Sequence, residues 1–483
     1  MISTSNRFSI RVALPAVGVP AWVNELAINS GWQYVAGGAA AGSAYWPAAP
    51  QALSDWQRGA RIVDVRMDPS PQAPTFAGIE DVIQPWCGAA MNFDRKELYL
   101  PANGGGGSYT GNEVYGLQLG LDVPAWKLFS ESTPVAMMEL DDTSHAYAWD
   151  GTDIPCTHRD GPSGGLGDGR PRAFHSCGNI QYANGRVWSV MQSAVTPNLN
   201  AQGLFSWDRE WVATQPDERA AYVQGDILPW RWHGTAGLEG SGPSYAFACS
   251  AYDPVAQRIW AYADRMAWAI DAVTGGLAVP DFSHGIPLRN GQTRGGWAVY
   301  VPGSPRRILV GLCRRSGQEI LVHDLEHETF SLMAATPAMQ WDPDSYWVNW
   351  ESPGVENGGL NQTPGSIYIP DDNPFLENEF AYGMGAAYSE GNVYVGVVPA
   401  RLGGTLGGQV RVIDVDAVLS GRDSVTELVN TGVRPIPLEG GPSFLSRVQW
   451  GNWQRFNIAE LGTAKVLIHA ADAHGPAQVW RIA

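Results

Sequence analysis

Between Trp86 and Trp126 short apolar runs alternate with turn-forming clusters. Gly88 to Phe93 reads as a strand closed by the turn Asp94-Arg95-Lys96, and Leu98-Tyr99-Leu100 follows as a second. A four-glycine turn, Gly104 to Gly107, separates it from a third run, Glu113 to Leu119, with Val114 and Leu117 as apolar positions. Ala125 to Phe129 is the fourth. Short runs bounded by Gly, Asp and Asn, joined by brief turns, predict a four-stranded antiparallel meander.

The two central strands of that unit recur along the chain. GRVWSV pairs with GLFSWD (185–190, 203–208), QRIWAY with AWAID (257–262, 267–271), and RRILVGL with EILVHDL (306–312, 319–325). GNVYVGV with QVRVIDV (391–397, 409–415) and AKVLIHA with AQVWRIA (464–470, 477–483) complete six copies. Inner strands are expected at 175–182, 247–252, 296–301, 385–388 and 447–458. Outer strands are expected around Trp126, Trp211, Leu277 to Phe282, Phe330 and Leu428. The sixth copy ends on its third strand, and Ser30 to Val35 has the pattern of the missing fourth. Pairing it with the last unit would close a ring and remove two exposed sheet edges. The expected fold is all-β: a six-bladed β-propeller closed by an N-terminal strand, with seven blades as the alternative if Trp341 to Pro370 holds another meander. Residues 1–29 then form an extension and 30–483 a single propeller. Long insertions at 36–85, 131–171, 213–244 and 336–382 all fall in connections expected on one face, and rigid scaffolds carry binding residues on such loops.

The glycine cluster after strand two, Tyr115 on strand three and Trp126 on strand four make the first unit resemble a kelch repeat. Over Trp86 to Trp211, GAAMNFDRKELYLPANGGGG, TGNEVYGLQL and the DGRP entrance to the second unit are similar to kelch-like propellers of tailed bacteriophages and bacteria. That resemblance implies a virion component at the capsid, neck or tail, acting by binding. The architecture is shared with the central domain of galactose oxidase, but no residues here match its copper ligands.

Composition narrows the partners. A formal net charge of -17 with Lys+Arg at 31 opposes nucleic-acid binding, which needs clustered cations. The five cysteines, Cys87, Cys156, Cys177, Cys249 and Cys313, are widely spaced and form neither a CxxC pair nor a disulfide framework. The N-terminal residues Met1 to Arg11 are too polar for a signal peptide, and no apolar run reaches spanning length, so a virion or otherwise cytoplasmic location is expected.

Three groups of residues are candidates for chemistry or contact. Asp141, Asp142, His145, Asp150, Asp153, His158 and Asp160 lie in one segment before the second unit, yet match neither a calcium-loop nor a zinc spacing. They read as a metal or acid/base site, or as a solvated turn-forming loop. Trp341, Tyr346, Trp347 and Trp350 stack on sugar rings or anchor a protein partner if exposed, and pack the loop down if not. Arg172 and His175, at the entrance to the second unit, tether blades near the axis or bind an anion.

Neither a P-loop nor an H-E-x-x-H motif is present. The expectation is a non-enzymatic structural or interaction protein without a cofactor, binding other virion proteins or a surface glycan and entering no membrane. A carbohydrate-active or metal-dependent propeller enzyme, or a cytoplasmic scaffold, is the alternative.

Overall fold

The computed structural model describes residues 18–34, 88–101, 114–122, 124–130, 178–190, 204–218, 229–233, 249–263, 266–283, 297–314, 317–334, 385–396, 410–422, 425–428, 455–470 and 478–483. The chain enters through a single helical turn, α1 (Ala21–Asn24), and a two-residue strand, β1 (Gln33–Tyr34). Blade one follows as β2 (Ala90–Asn92), β3 (Glu97–Pro101), β4 (Val114–Gln118) and β5 (Ala125–Ser130). Blade two is β6 (Ile180–Ala183), β7 (Arg186–Ser189), β8 (Phe205–Asp208), the short helix α2 (Arg209–Val212) and β9 (Trp230–Trp232). Blade three is β10 (Cys249–Asp253), β11 (Arg258–Ala263), β12 (Met266–Asp271) and β13 (Leu277–Ser283). Blade four is β14 (Trp297–Val301), β15 (Arg307–Arg314), β16 (Gly317–Asp324) and β17 (Thr329–Ala334). Blade five is β18 (Gly385–Ser389), β19 (Asn392–Gly396), β20 (Val410–Asp414), the helix α3 (Val415–Leu419) and β21 (Val425–Leu428). Blade six is β22 (Phe456–Leu461), β23 (Ala464–His469) and β24 (Gln478–Arg481).

Each blade is a four-stranded antiparallel sheet in sequence order, and β1 supplies the fourth strand of blade six by pairing Gln33 with Val479 and Tyr34 with Gln478. The N-terminal strand therefore closes a six-bladed β-propeller. Asn29 reinforces the closure by donating its backbone N–H to the Arg481 carbonyl at 2.8 Å. Arg481 in turn donates from Nη1 to the Val23 carbonyl at 3.1 Å.

The core is divided among the seams between blades. Strand alternation sends successive side chains to opposite faces of each blade. Leu98 and Leu100 thus face blade six, while Tyr99 faces blade two. The same alternation places Ile259 and Ala261 against blade two and Trp260 and Tyr262 against blade four. In blade six, Val466 and Ile468 face blade one, whereas Leu467 faces blade five. Trp22, Val23 and Leu26 of the N-terminal segment complete the seam between blades six and one. Tyr115 is buried in that seam too.

Blades four and five are direct neighbours, for Leu309, Ile320 and Val322 pack with Val393, Val395 and Ile413 in one cluster. No seventh blade fits between them, which settles the blade count that Trp341 to Pro370 had left open.

One local rule recurs. Strand three ends on an aspartate in four blades: Asp208, Asp271, Asp324 and Asp414. Its carboxylate accepts backbone N–H groups two or three residues on, as Asp271 Oδ1 does from Val273 and Thr274, both at 2.8 Å. In blades two and five the same aspartate caps a helix: Asp208 Oδ1 accepts from Trp211 N at 2.8 Å, and Asp414 Oδ1 from Ala417 N at 2.9 Å. This explains a departure from the sequence pattern. The segment around Trp211 was expected to be the outer strand of blade two, but Asp208 turns it into α2. The outer strand is β9, so the insertion expected as one piece at 213–244 is split by it, and 213–229 joins strands three and four on the face opposite the other long insertions.

Candidate functional site

The acidic segment with Asp141, Asp142, His145, Asp150, Asp153, His158 and Asp160 lies outside the described residues. So do Trp341, Tyr346, Trp347 and Trp350, and the pair Arg172 and His175. Their strand anchors are described. Ser130 ends the fourth strand of blade one, Ala334 ends that of blade four, and Ile180 and Gly385 lie on the first strands that follow. In an antiparallel meander, connections from strand four to the next strand one leave from the same face as those between strands two and three.

The opposite face carries the connections between strands one and two and between strands three and four. There the structure assembles a polar site that single-sequence reading missed, at the seam between blades one and two. Arg209, at the start of α2, is 2% exposed and lies across the seam from β3. Its Nε donates to Glu97 Oε2 at 3.1 Å and to Tyr99 Oη at 2.9 Å, while Nη2 donates to Glu97 Oε1 at 3.2 Å. Nη1 donates to Glu218 Oε1 at 3.1 Å, and Lys127 pairs with the other oxygen of Glu218. Tyr99 donates to Glu97, which also accepts from Gln118 Nε2 at 3.1 Å. The guanidinium carbon sits 4.3 Å from the centre of the Phe129 ring. Strand pleat explains the grouping, since Glu97 and Tyr99 are two apart on β3 and share its blade-two face.

The electrostatics fit a clamp better than a proton-transfer site. Burial opposes the charge on Arg209, but Tyr99, Glu97 and Glu218 outweigh it and hold the guanidinium firmly protonated. Burial works to raise Glu218, and Lys127 and Arg209 override it, leaving a carboxylate below its ordinary range. Burial, then the Glu97 charge, pushes the Tyr99 phenol well up. Tyr99 and Glu218 both bond to the Arg209 guanidinium, and a phenol so raised keeps its proton at neutral pH.

The neighbouring seam holds a serine–histidine pair. Ser206 Oγ lies 2.8 Å from His233 Nε2, within reach of a nucleophile and its base. Yet Ser206 is wholly buried, and burial with Arg231 and Arg186 lowers His233 to about 4. The His233 ring stacks on Trp188 at 4.7 Å and occupies a niche left by Gly275, where a Cβ would stand 1.8 Å from Nδ1. The pair packs between blades, with Ser206 buried and His233 partly exposed. His469 is buried between Trp32 at 5.5 Å and Phe456 at 6.3 Å, and is lowered to about 3 by burial and Arg455. Among the described residues, no group of three His, Cys, Asp or Glu side chains is placed to hold a metal ion.

Latches between blades tie down the rim of this face. Arg95 of blade one donates to Glu210 of blade two at 2.9 and 2.6 Å. Tyr252 of blade three donates to Asn184 Oδ1 of blade two at 3.0 Å, and Arg306 of blade four reaches Asp253 of blade three at 2.9 and 2.6 Å. Lys465 of blade six pairs with Glu390 of blade five. No helix among the described residues is long and apolar enough to cross a membrane.

Fold and latched seams define the class, a six-bladed β-propeller in which the turns of one face are short, the connection 209–229 of blade two apart. Neither a protein-family model nor a curated protein sequence matches the chain. Solved structures similar to it include an auxiliary nutrient binding protein from Bacteroides ovatus, with TM-score 0.32 and 11% identity over 80% of this chain. The alignment spans 66% of that protein's length. The major allergen Mala s 1 of Malassezia sympodialis gives 0.37 and 7% identity over 83% of this chain and 93% of that one. A GH43 endo-arabinanase from Bacillus licheniformis gives 0.30 and 15% over 72% and 93%.

Proposed function

We propose that this chain is a non-enzymatic, kelch-type propeller that serves as a rigid binding platform, and that it is a virion component of a tailed bacteriophage. One observation carries the platform reading. The ring is closed by its own N-terminal strand and latched at its seams, while the strand ends deliver the long connections 131–171 and 335–384 to a single face. A stiff scaffold presenting loops from one face is suited to recognition. On this reading Asp141 to Asp160 and the aromatics Trp341, Tyr346, Trp347 and Trp350 supply contacts to a protein or glycan, and Arg172 with His175 tethers blade two. No cofactor is required. Support for the kelch and phage parts comes from the resemblance over Trp86 to Trp211, together with the burial of Tyr115 between blades six and one.

Mass spectrometry of purified particles and of soluble lysate from the producing culture tests the virion assignment. Stoichiometric recovery with particles is expected. Abundance in lysate with absence from particles would overturn it.

A further inference from the structure

The short-turn face has a chemical character of its own. Among the described residues, the exposed large apolar side chains are Ile28, Phe93, Leu121, Val255 and Val273, between 44% and 67% exposed. All five stand on this face. Phe93 and Leu121 occupy the two turns of blade one, which are joined by a hydrogen bond from Leu119 N to the Lys96 carbonyl at 2.9 Å. Val255 and Val273 occupy the corresponding turns of blade three, joined by Ala272 N to the Gln257 carbonyl at 2.9 Å. Ile28 lies where the N-terminal segment enters blade six, beside blade one, to which Trp22 Nε1 bonds at the Leu119 carbonyl, 3.3 Å away.

Exposed carboxylates outnumber exposed cations on this face among the described residues. Asp94 and Asp122 are exposed beside Phe93 and Leu121, Glu328 and Glu460 are exposed on other turns of the face, and Glu210 and Glu390 are exposed but paired with Arg95 and Lys465, whereas Arg422 is the exposed arginine there among the described residues. Arg95, Arg306 and Lys465 are half-buried and held in the seam ion pairs.

We infer that this face docks a protein partner whose contact surface carries apolar side chains ringed by lysine and arginine. Apolar tips on a latched, rigid plate lose water without loop ordering when covered, which favours association. The anionic surround selects the partner's charge and repels the alternatives. Nucleic acid and anionic lipid share its sign. A second copy of this chain would set one acidic face against another at a net charge of -17 per chain.

The probe is a synthetic helix of leucine and lysine with its leucines on one face, titrated into the full chain at physiological salt, with a lysine-only peptide as control. Expected is binding of the leucine–lysine helix alone, with hydrogen-exchange protection at 93–96, 119–122, 253–257 and 271–276. A Phe93→Ser, Leu121→Ser chain should bind at least about tenfold more weakly at unchanged Tm. Equal binding by the lysine-only peptide or by the serine chain would reduce the surface to diffuse charge and overturn the proposal. So would protection on the long-loop face, no binding, or self-association abolished by the serine changes.

Discussion

Arg209 and Glu97, 112 positions apart in sequence, meet across the seam between blades one and two with Arg209 Nε 3.1 Å from Glu97 Oε2. Both side chains are under a tenth exposed. Removing one partner strands a buried charge. Arg209→Met should therefore cost about 3–5 kcal/mol, and adding Glu97→Leu should recover part of the loss. Urea midpoints of the single and double variants check this, and strictly additive losses would refute the coupling.

Close approach of strands to aromatic rings makes another prediction. A Cβ at Gly311 would lie 2.2 Å from the Trp297 indole, whereas Gly391, at φ +82°, has nothing within 4 Å. Gly311→Ala must displace a wholly buried tryptophan, at about 1–3 kcal/mol or more. Gly391→Ala meets only backbone strain, on the order of 1 kcal/mol. Thermal melts of the two variants should rank them in that order.

The closing strand depends on Trp32, which is 1% exposed and packs on Phe456 at 6.2 Å and Trp480 at 5.7 Å. Trp32→Ala should cost about 3–5 kcal/mol. It should also free the β24 edge for intermolecular pairing, seen as aggregation by light scattering below the melting temperature. A monomeric variant with unchanged Tm would contradict the closure.

Acid should weaken the fold before the carboxylates titrate. Burial, with Arg231 and Arg186, lowers His233 from 6.5 to about 4, and burial with Arg455 lowers His469 to about 3. Above pH 6.5 both states leave these rings neutral. As pH falls further, the unfolded chain takes up protons that the folded chain refuses. Stability is lost down to about pH 4 for His233 and about pH 3 for His469. For His233 the loss is on the order of 3 kcal/mol. His233→Gln should flatten the dependence of stability on pH between 6.5 and 4, and an unchanged slope would refute the assignment.

The blade repeat was legible because strand alternation and turn residues are local, as in Leu98-Tyr99-Leu100 with its neighbouring turns. The closing strand was legible because the sixth copy lacked a partner that 30–35 could supply. Trp211 misled, since an aromatic after a β run suggests another strand, and only the capping geometry of Asp208 reveals a helix. The recurring aspartate alone does not give it away, since Asp271 and Asp324 close turns while Asp208 and Asp414 cap helices. The Arg209 cluster was not legible, for nothing local in REWV or ELY indicates that the ring will bring them together. The serine–histidine pair was hidden for the same reason. The segments proposed from sequence for contact, 141–160 and 341–350, lie outside the described residues.

The platform account is tested most directly by replacing 131–171 and 336–382 with short glycine–serine linkers and measuring particle association of the variant beside the parent chain, with melts as the control for folding. The account predicts a Tm within a few degrees of the parent and loss of association with particles. Retained association in a folded variant would contradict it.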